Sequence, residues 1–186
     1  RRETFATTGT RMKLRFFGGF DFSANDIAGD FVAAGYERGV PMGGVLDTRF
    51  TEAPVFAVAA SADPRGGLLQ RLQVVKVWHD GDGGIHQSVA DVAGSADNGA
   101  AASLDDCSVS GPGHRQLCAT WRDPAFDPDQ PAAYYLRVLE NPSCRWSWRQ
   151  CLSLPEGLRP LTCEAPDIQK IIQERAWSSP IWYAPS

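Results

Sequence analysis

The sequence predicts a mainly-β chain, a β-sandwich of about six to seven strands with one short helix and long loops. Three observations carry that expectation. Apolar residues alternate with polar ones at a period of two in several short runs. The chain holds 18 glycines and 13 prolines among 186 residues, a composition that favours turns and short elements over long helices. Its length corresponds to one domain, enough to close a hydrophobic core without relying on metals or disulfides.

The elements follow in order. Met12, Leu14 and Phe16 alternate with Lys13 and Arg15, the pattern of a half-buried strand. Phe16-Phe17 before Gly18-Gly19 breaks the phase and predicts a bulge or bend. Residues 23–39 form the best helix candidate. Ile27, Phe31 and Ala34 recur at helical spacing, Ser23 or Asn25 can cap the start, and Gly39 before Pro41 marks the stop. Residues 54–60 are apolar at both parities and read as a central strand covered on both faces.

Leu72 and Val74 share one parity and Val75 and Val77 the other, so a bulge is expected inside a strong strand. It ends at His79-Asp80-Gly81-Asp82-Gly83-Gly84, a hairpin turn, with a return strand over about residues 85–92. Residues 94–103 read as a surface loop. Leu117, Ala119 and Trp121 give another strand, and Tyr134, Leu136 and Val138 the clearest strand of the second half. A short strand over residues 181–183 closes the chain.

The net charge of −4 and a pI near 5.3 argue against a nucleic-acid or anionic-membrane binder, since both demand a basic face. No apolar run approaches the roughly 18 residues of a membrane helix. The opening RRETFATTGTRM has neither an initiator Met nor a signal-type apolar segment, and Arg1-Arg2-Glu3 reads as the last turn of a helix lying upstream.

Five cysteines, Cys107, Cys118, Cys144, Cys151 and Cys163, all lie in the second half without C-x-x-C spacing. Their clustering in a loop-rich region fits disulfides and an oxidising compartment, periplasmic or secreted. Cys107 and Cys118 flank Gly111-Pro112-Gly113, a turn able to fold them together. The other three can supply one further bridge and leave one thiol over.

Catalytic motifs are absent: no phosphate-binding G-x-x-x-x-G-K-[ST], no G-x-S-x-G, no H-E-x-x-H. Asp80, Asp82 and Asp91 start like a calcium loop, but Ile85 stands where that loop requires glycine, so a plain hairpin turn is the better reading. His79 and His86 can face each other across the hairpin, at most half a metal site. Asp123, Asp127 and Asp129 alternate with proline, the habit of turn-forming aspartates. Arg145, Trp146, Trp148 and Arg149 interleave cations with aromatics. They form either a glycan-stacking platform or, the favoured reading, a brace for a disulfide-bearing loop. Thr8 and Arg11, in the polar cluster Thr7-Thr8-Gly9-Thr10-Arg11, are candidates for holding a substrate's phosphate or carboxylate oxygen.

Several segments together carry a likeness to a known family: ETFATTGTRM, RFFGGFDF, YERGVPMGG, AFDPDQPAAYYLRVLENPSCRW and QERAWSSPIWY. From Glu3 to Tyr183 the chain resembles the C-terminal end of a bacterial domain-of-unknown-function family. Its members look like metallohydrolases of the polymerase-and-histidinol-phosphatase (PHP) superfamily. The resemblance implies that residues 1–11 are the tail end of an upstream catalytic region and 12–186 a C-terminal β-sandwich. It implies a divalent metal in that upstream region, with no cofactor and no catalytic residue in this chain. The partner it implies is the upstream domain of the same protein, with Arg11 and Thr8 lining the shared boundary. One departure stands out: Val45 follows GVPMGG where the family pattern leads one to expect an acid.

Two functions follow from these readings. As an accessory domain of a metal-dependent, phosphoester-type hydrolase, the chain is expected to expose an apolar patch near Met12, Phe16 and Phe17. As an independent carbohydrate-binding module, it is expected to present Trp146 and Trp148 as a shallow platform.

Overall fold

The computed structural model describes residues 2–185 and is mainly β. In chain order the elements are β1 (Phe5–Thr7), β2 (Lys13–Gly19), α1 (Ala24–Ala28), α2 (Phe31–Arg38), β3 (Val40–Pro41), β4 (Val55–Ser61), β5 (Leu69–His79) and β6 (Ile85–Gly94). There follow β7 (Ala101–Ala102), β8 (Val109–Ser110), β9 (Gln116–Arg122), β10 (Ala132–Glu140), β11 (Ser143–Cys144) and α3 (Trp146–Ser153). Two 3₁₀ turns lead to β12 (Ile171–Ile172), β13 (Arg175–Ser178) and β14 (Ile181–Tyr183).

Two antiparallel sheets make the sandwich. One runs β1-β13-β10-β5-β6, with β14 also paired to β10, and the other runs β3-β2-β4-β9. Strand alternation sends one parity of each sheet inward. Met12, Leu14, Phe16, Phe56 and Val58 from the four-stranded sheet meet Leu72, Val74, Tyr134, Leu136, Val138 and Ile181 from the larger one. Phe56 anchors this core, stacking on Phe16 with centroids 5.4 Å apart and tilting against Tyr134 at 4.5 Å.

Several expectations change here. The phase break at Phe16-Phe17 is no bulge, because the β2–β4 register runs unbroken from Lys13↔Ser61 to Gly19↔Val55. Both parities are apolar because both faces are covered. Phe16 faces the core, while Phe17 faces the helices and packs edge-on against Phe31 and Tyr36. Met12, Phe16 and Phe17 are therefore buried, at 1% exposure or less, and form no surface patch.

The single predicted helix is two. Ser23 opens α1, its N–H donating to Asp26 Oδ2 at 2.7 Å, and Gly29 ends it. Asp30 then caps α2 by accepting from the Ala33 N–H at 3.0 Å. The predicted bulge exists but its extra residue lies on β6: Leu72 pairs with Ala93 and Gln73 with Asp91, so Val92 is unmatched. Residues 94–103 are not wholly loop, since β7 pairs with β8 there. Arg1 lies outside the described residues, and Arg2 and Glu3 form no helical turn. Among the described residues no helix is long and apolar enough to cross a membrane.

Candidate functional site

The outward parity of the four-stranded sheet carries the most distinctive surface. Strand register sets three rows across it: Lys13–Ser61–Gln116, Arg15–Ala59–Cys118 and Phe17–Ala57–Thr120. Helices α1 and α2 cover the Phe17 row, and the other two rows stay open. The small side chains of Ala59 and Ser61 make the floor, so the long side chains of β2 and β9 stand as banks on either side. The result is a groove of about 610 Å³ with Phe5, Ile27 and Phe31 among its apolar lining.

A second hollow, of about 320 Å³, shares Lys13, Ser61 and Gln116 with the groove and extends it to Arg11 and Arg115. Arg11 is fixed through its backbone, whose N–H donates to Asp63 Oδ2 at 2.7 Å. Asp63 also accepts from the Arg65 N–H, and these two backbone bonds hold its carboxyl below the usual carboxylate range. The Arg11 side chain is left exposed toward the hollow. Thr8 is placed differently. Its hydroxyl donates to the Glu174 carboxylate and accepts from the Arg175 N–H at 2.9 Å, so it joins β1 to the start of β13.

The cysteines pair as Cys107–Cys144 and Cys151–Cys163, and Cys118 is free and exposed. The Gly111-Pro112-Gly113 turn does not bring Cys107 to Cys118, because β9 carries Cys118 onto the outward face of the four-stranded sheet. Trp148 is buried at 6% among Cys107, Cys144 and Cys163. Its indole N–H donates to Leu104 O at 2.9 Å and Lys170 Nζ lies 3.8 Å from its ring centroid. A face sealed in this way is closed to a sugar, so Trp148 braces the disulfide segment, while Trp146 is 74% exposed and Arg145 and Arg149 are on the surface.

The acidic and imidazole candidates are turn-formers. Asp80 Oδ1 accepts from the N–H groups of Asp82 and Gly84, and its Oδ2 meets His86 Nε2 at 2.7 Å. These contacts hold the Asp80 carboxyl below its ordinary range, the His86 bond most of all. His79 lies opposite Ile85, and His86 lies opposite Trp78 and stacks on it at 5.6 Å, so the two imidazoles do not face each other. Asp127 caps its own turn by accepting from the Asp129 N–H. Among the described residues no three His, Cys, Asp or Glu side chains converge as metal ligands do.

A buried ionic centre belongs to no sequence motif. Asp123 accepts from Tyr134 Oη at 2.7 Å and from Lys76 Nζ at 2.8 Å, and Lys76 also donates to Ala125 O. Burial and the Asp123 charge push the Tyr134 hydroxyl well above its ordinary range. The sequence does hold a signal for it: Lys76 shares the inward parity of Leu72, Val74 and Trp78.

A third feature is the outward face of the larger sheet. Ile85, Val89, Val75, Val77, Tyr135 and Ala133 share one parity across β6, β5 and β10, continued by Trp182 on β14. Ile85, Val89 and Trp182 are 82%, 47% and 45% exposed. Val45 bridges to Trp182 and adds an exposed apolar side chain beside it.

No curated protein and no solved structure matches the chain. A family model does, over residues 1–185, and by that match the chain belongs to the family described as protein of unknown function DUF3604.

Proposed function

We propose that this chain is the non-catalytic C-terminal β-sandwich of a PHP-like metal-dependent hydrolase, exported to the periplasm or beyond. In this reading it packs on the upstream catalytic domain of the same protein, which holds the divalent metal. The observation that carries the reading is the outward face of the larger sheet. A sheet face that leaves Ile85, Val89, Trp182 and Val45 in water is one that an interface covers. The two disulfides, Cys107–Cys144 and Cys151–Cys163, support an oxidising compartment.

Thr8 and Arg11 belong to this reading at the domain boundary, Thr8 as a tie to β13 and Arg11 as the charged group facing outward. The alternative, an independent glycan-binding module, now rests on Trp146 between Arg145 and Arg149, because Trp148 is sealed beneath the disulfides. One stacking ring is a small platform for a sugar chain.

The test compares this chain with a longer one carrying the upstream region, each assayed for bound metal and for phosphoester hydrolysis. Metal and turnover in the longer chain alone are expected. Stoichiometric metal and turnover in residues 1–186 by themselves overturn the proposal.

A further inference from the structure

The groove on the four-stranded sheet lies on the other sheet from that apolar face, with Arg11 of the proposed boundary at its edge, and its charge is the first reason to read it as a binding site. Arg11, Lys13 and Arg15 follow one another at every second residue on the outward parity, about 7 Å apart at the strand repeat. Arg115, the residue before β9, lines the second hollow together with Arg11 and Lys13. Among the described residues none of these four cations is ion-paired, and none donates a side-chain hydrogen bond. In a chain of net charge −4, four cations outside any salt bridge along two adjoining hollows are a local concentration of positive potential, which the Asp63 carboxylate near Arg11 offsets only at one end.

The shape is the second reason. The Ala59 and Ser61 floor separates Lys13 from Gln116 and Arg15 from Cys118 by two strand spacings, about 10 Å. That width admits a ring or a short chain lying along β4. The groove's apolar lining comes from Ile27 and Phe31 of the helices and from Phe5 of β1, which is 41% exposed. A free inorganic ion would use the cations and leave this lining wet. A protein surface would have to enter a concave groove. The combination suits a small molecule with one anionic group and one apolar body.

We infer that this groove binds an organic anion, with Lys13 and Arg15 holding a phosphate, sulfate or carboxylate group, Arg11 and Arg115 adding positive potential from the adjoining hollow, and Phe5, Ile27 and Phe31 holding its apolar part. Guanidinium and ammonium donors reach such oxyanions through charge-assisted hydrogen bonds. Gln116 supplies an uncharged donor on the opposite bank. The three anion chemistries share this recognition, and the choice among them is left to the assay.

The groove carries its own reporter. Cys118 is a free thiol on the bank facing Arg15, so a bound ligand shields it from alkylation. The probes are phenyl phosphate, phenyl sulfate and benzoate, with inorganic phosphate as the control lacking a body and benzyl alcohol as the control lacking charge. At least one aryl anion is expected to bind tenfold or more tightly than inorganic phosphate, to slow iodoacetamide labelling of Cys118, and to weaken with added salt. Lys13→Gln with Arg15→Gln is expected to cost tenfold or more in affinity. Both side chains are exposed, so the fold should survive, and an unchanged urea midpoint confirms it. The inference is overturned if no aryl anion protects Cys118, if the double variant binds as the native chain does, or if benzyl alcohol binds as tightly as the aryl anions.

Discussion

Lys76 and Asp123 form an ion pair between the two sheets, 2.8 Å apart and each with a side chain only 3% exposed. Neither charge stands alone: Asp123 also receives the Tyr134 hydroxyl, and Lys76 also donates to Ala125 O and lies 5.2 Å from the Trp78 ring centroid. The pair ties the residues 123–130 loop to β5 and β10. Removing one partner strands the other in a low dielectric. Asp123→Ala is therefore expected to cost about 3–5 kcal/mol in a urea unfolding series, and Lys76→Met/Asp123→Asn to recover part of that loss.

The Phe17 side chain explains why α2 holds a glycine at its centre. A Cβ on Gly35 would stand 2.5 Å from the Phe17 ring. Gly35→Ala is expected to destabilise by about 1–3 kcal/mol through this clash, despite alanine's better helix propensity. Phe17→Ala should cost about 3–5 kcal/mol. Equal or greater stability of Gly35→Ala would show that α2 does not seat on β2 in this way.

Disulfide mapping checks the arrangement of the second half. Native protein is expected to titrate one thiol, at Cys118, and peptide mapping to recover Cys107–Cys144 and Cys151–Cys163. The bridges span 37 and 12 residues, so loop-closure entropy assigns them about 4 and about 3 kcal/mol respectively. Cys107→Ser/Cys144→Ser should be the more destabilising pair of substitutions.

Glu140 makes stability pH-dependent. Its side chain is buried beside Gly66 and Gly67, Oε1 has no hydrogen-bond partner among the described residues, and burial raises its pKa above the ordinary 4.5. A raised folded-state pKa means the contribution is fully present below about pH 4.5 and is lost as pH rises through the folded value. Glu140→Gln is expected to raise the urea midpoint at pH 8 and to change it little at pH 4. A variant less stable at pH 8 would contradict the sign.

The sandwich is legible in sequence because its strands alternate cleanly. The runs at Leu117–Trp121, Tyr134–Val138 and Ile181–Tyr183 fall within β9, β10 and β14. Two-residue pairings such as β7–β8 and β11–β12 leave no periodic trace, so pattern alone cannot find them. Parity identifies Met12, Phe16 and Phe17 as apolar but not what covers them, since α1 and α2 fold back onto β2 from outside the strand. The inward parity of Lys76 marks it as a buried cation, but nothing local marks its partner in a distant loop. Cysteine pairing depends on where β9 carries Cys118, a property of topology and not of spacing. The basic ladder Arg11, Lys13 and Arg15 is in plain view, but its significance depends on the small-residue floor that β4 places beside it.

The accessory-domain reading turns on whether the outward face of the larger sheet is covered in the longer protein. Hydroxyl-radical footprinting of side chains, on this chain and on one carrying the upstream region, measures that directly. The account predicts strong labelling of Ile85, Val89 and Trp182 in the isolated chain and their protection in the longer one, with Trp146 labelled equally in both. Undiminished labelling of Ile85, Val89 and Trp182 in a folded, metal-loaded longer chain would contradict it.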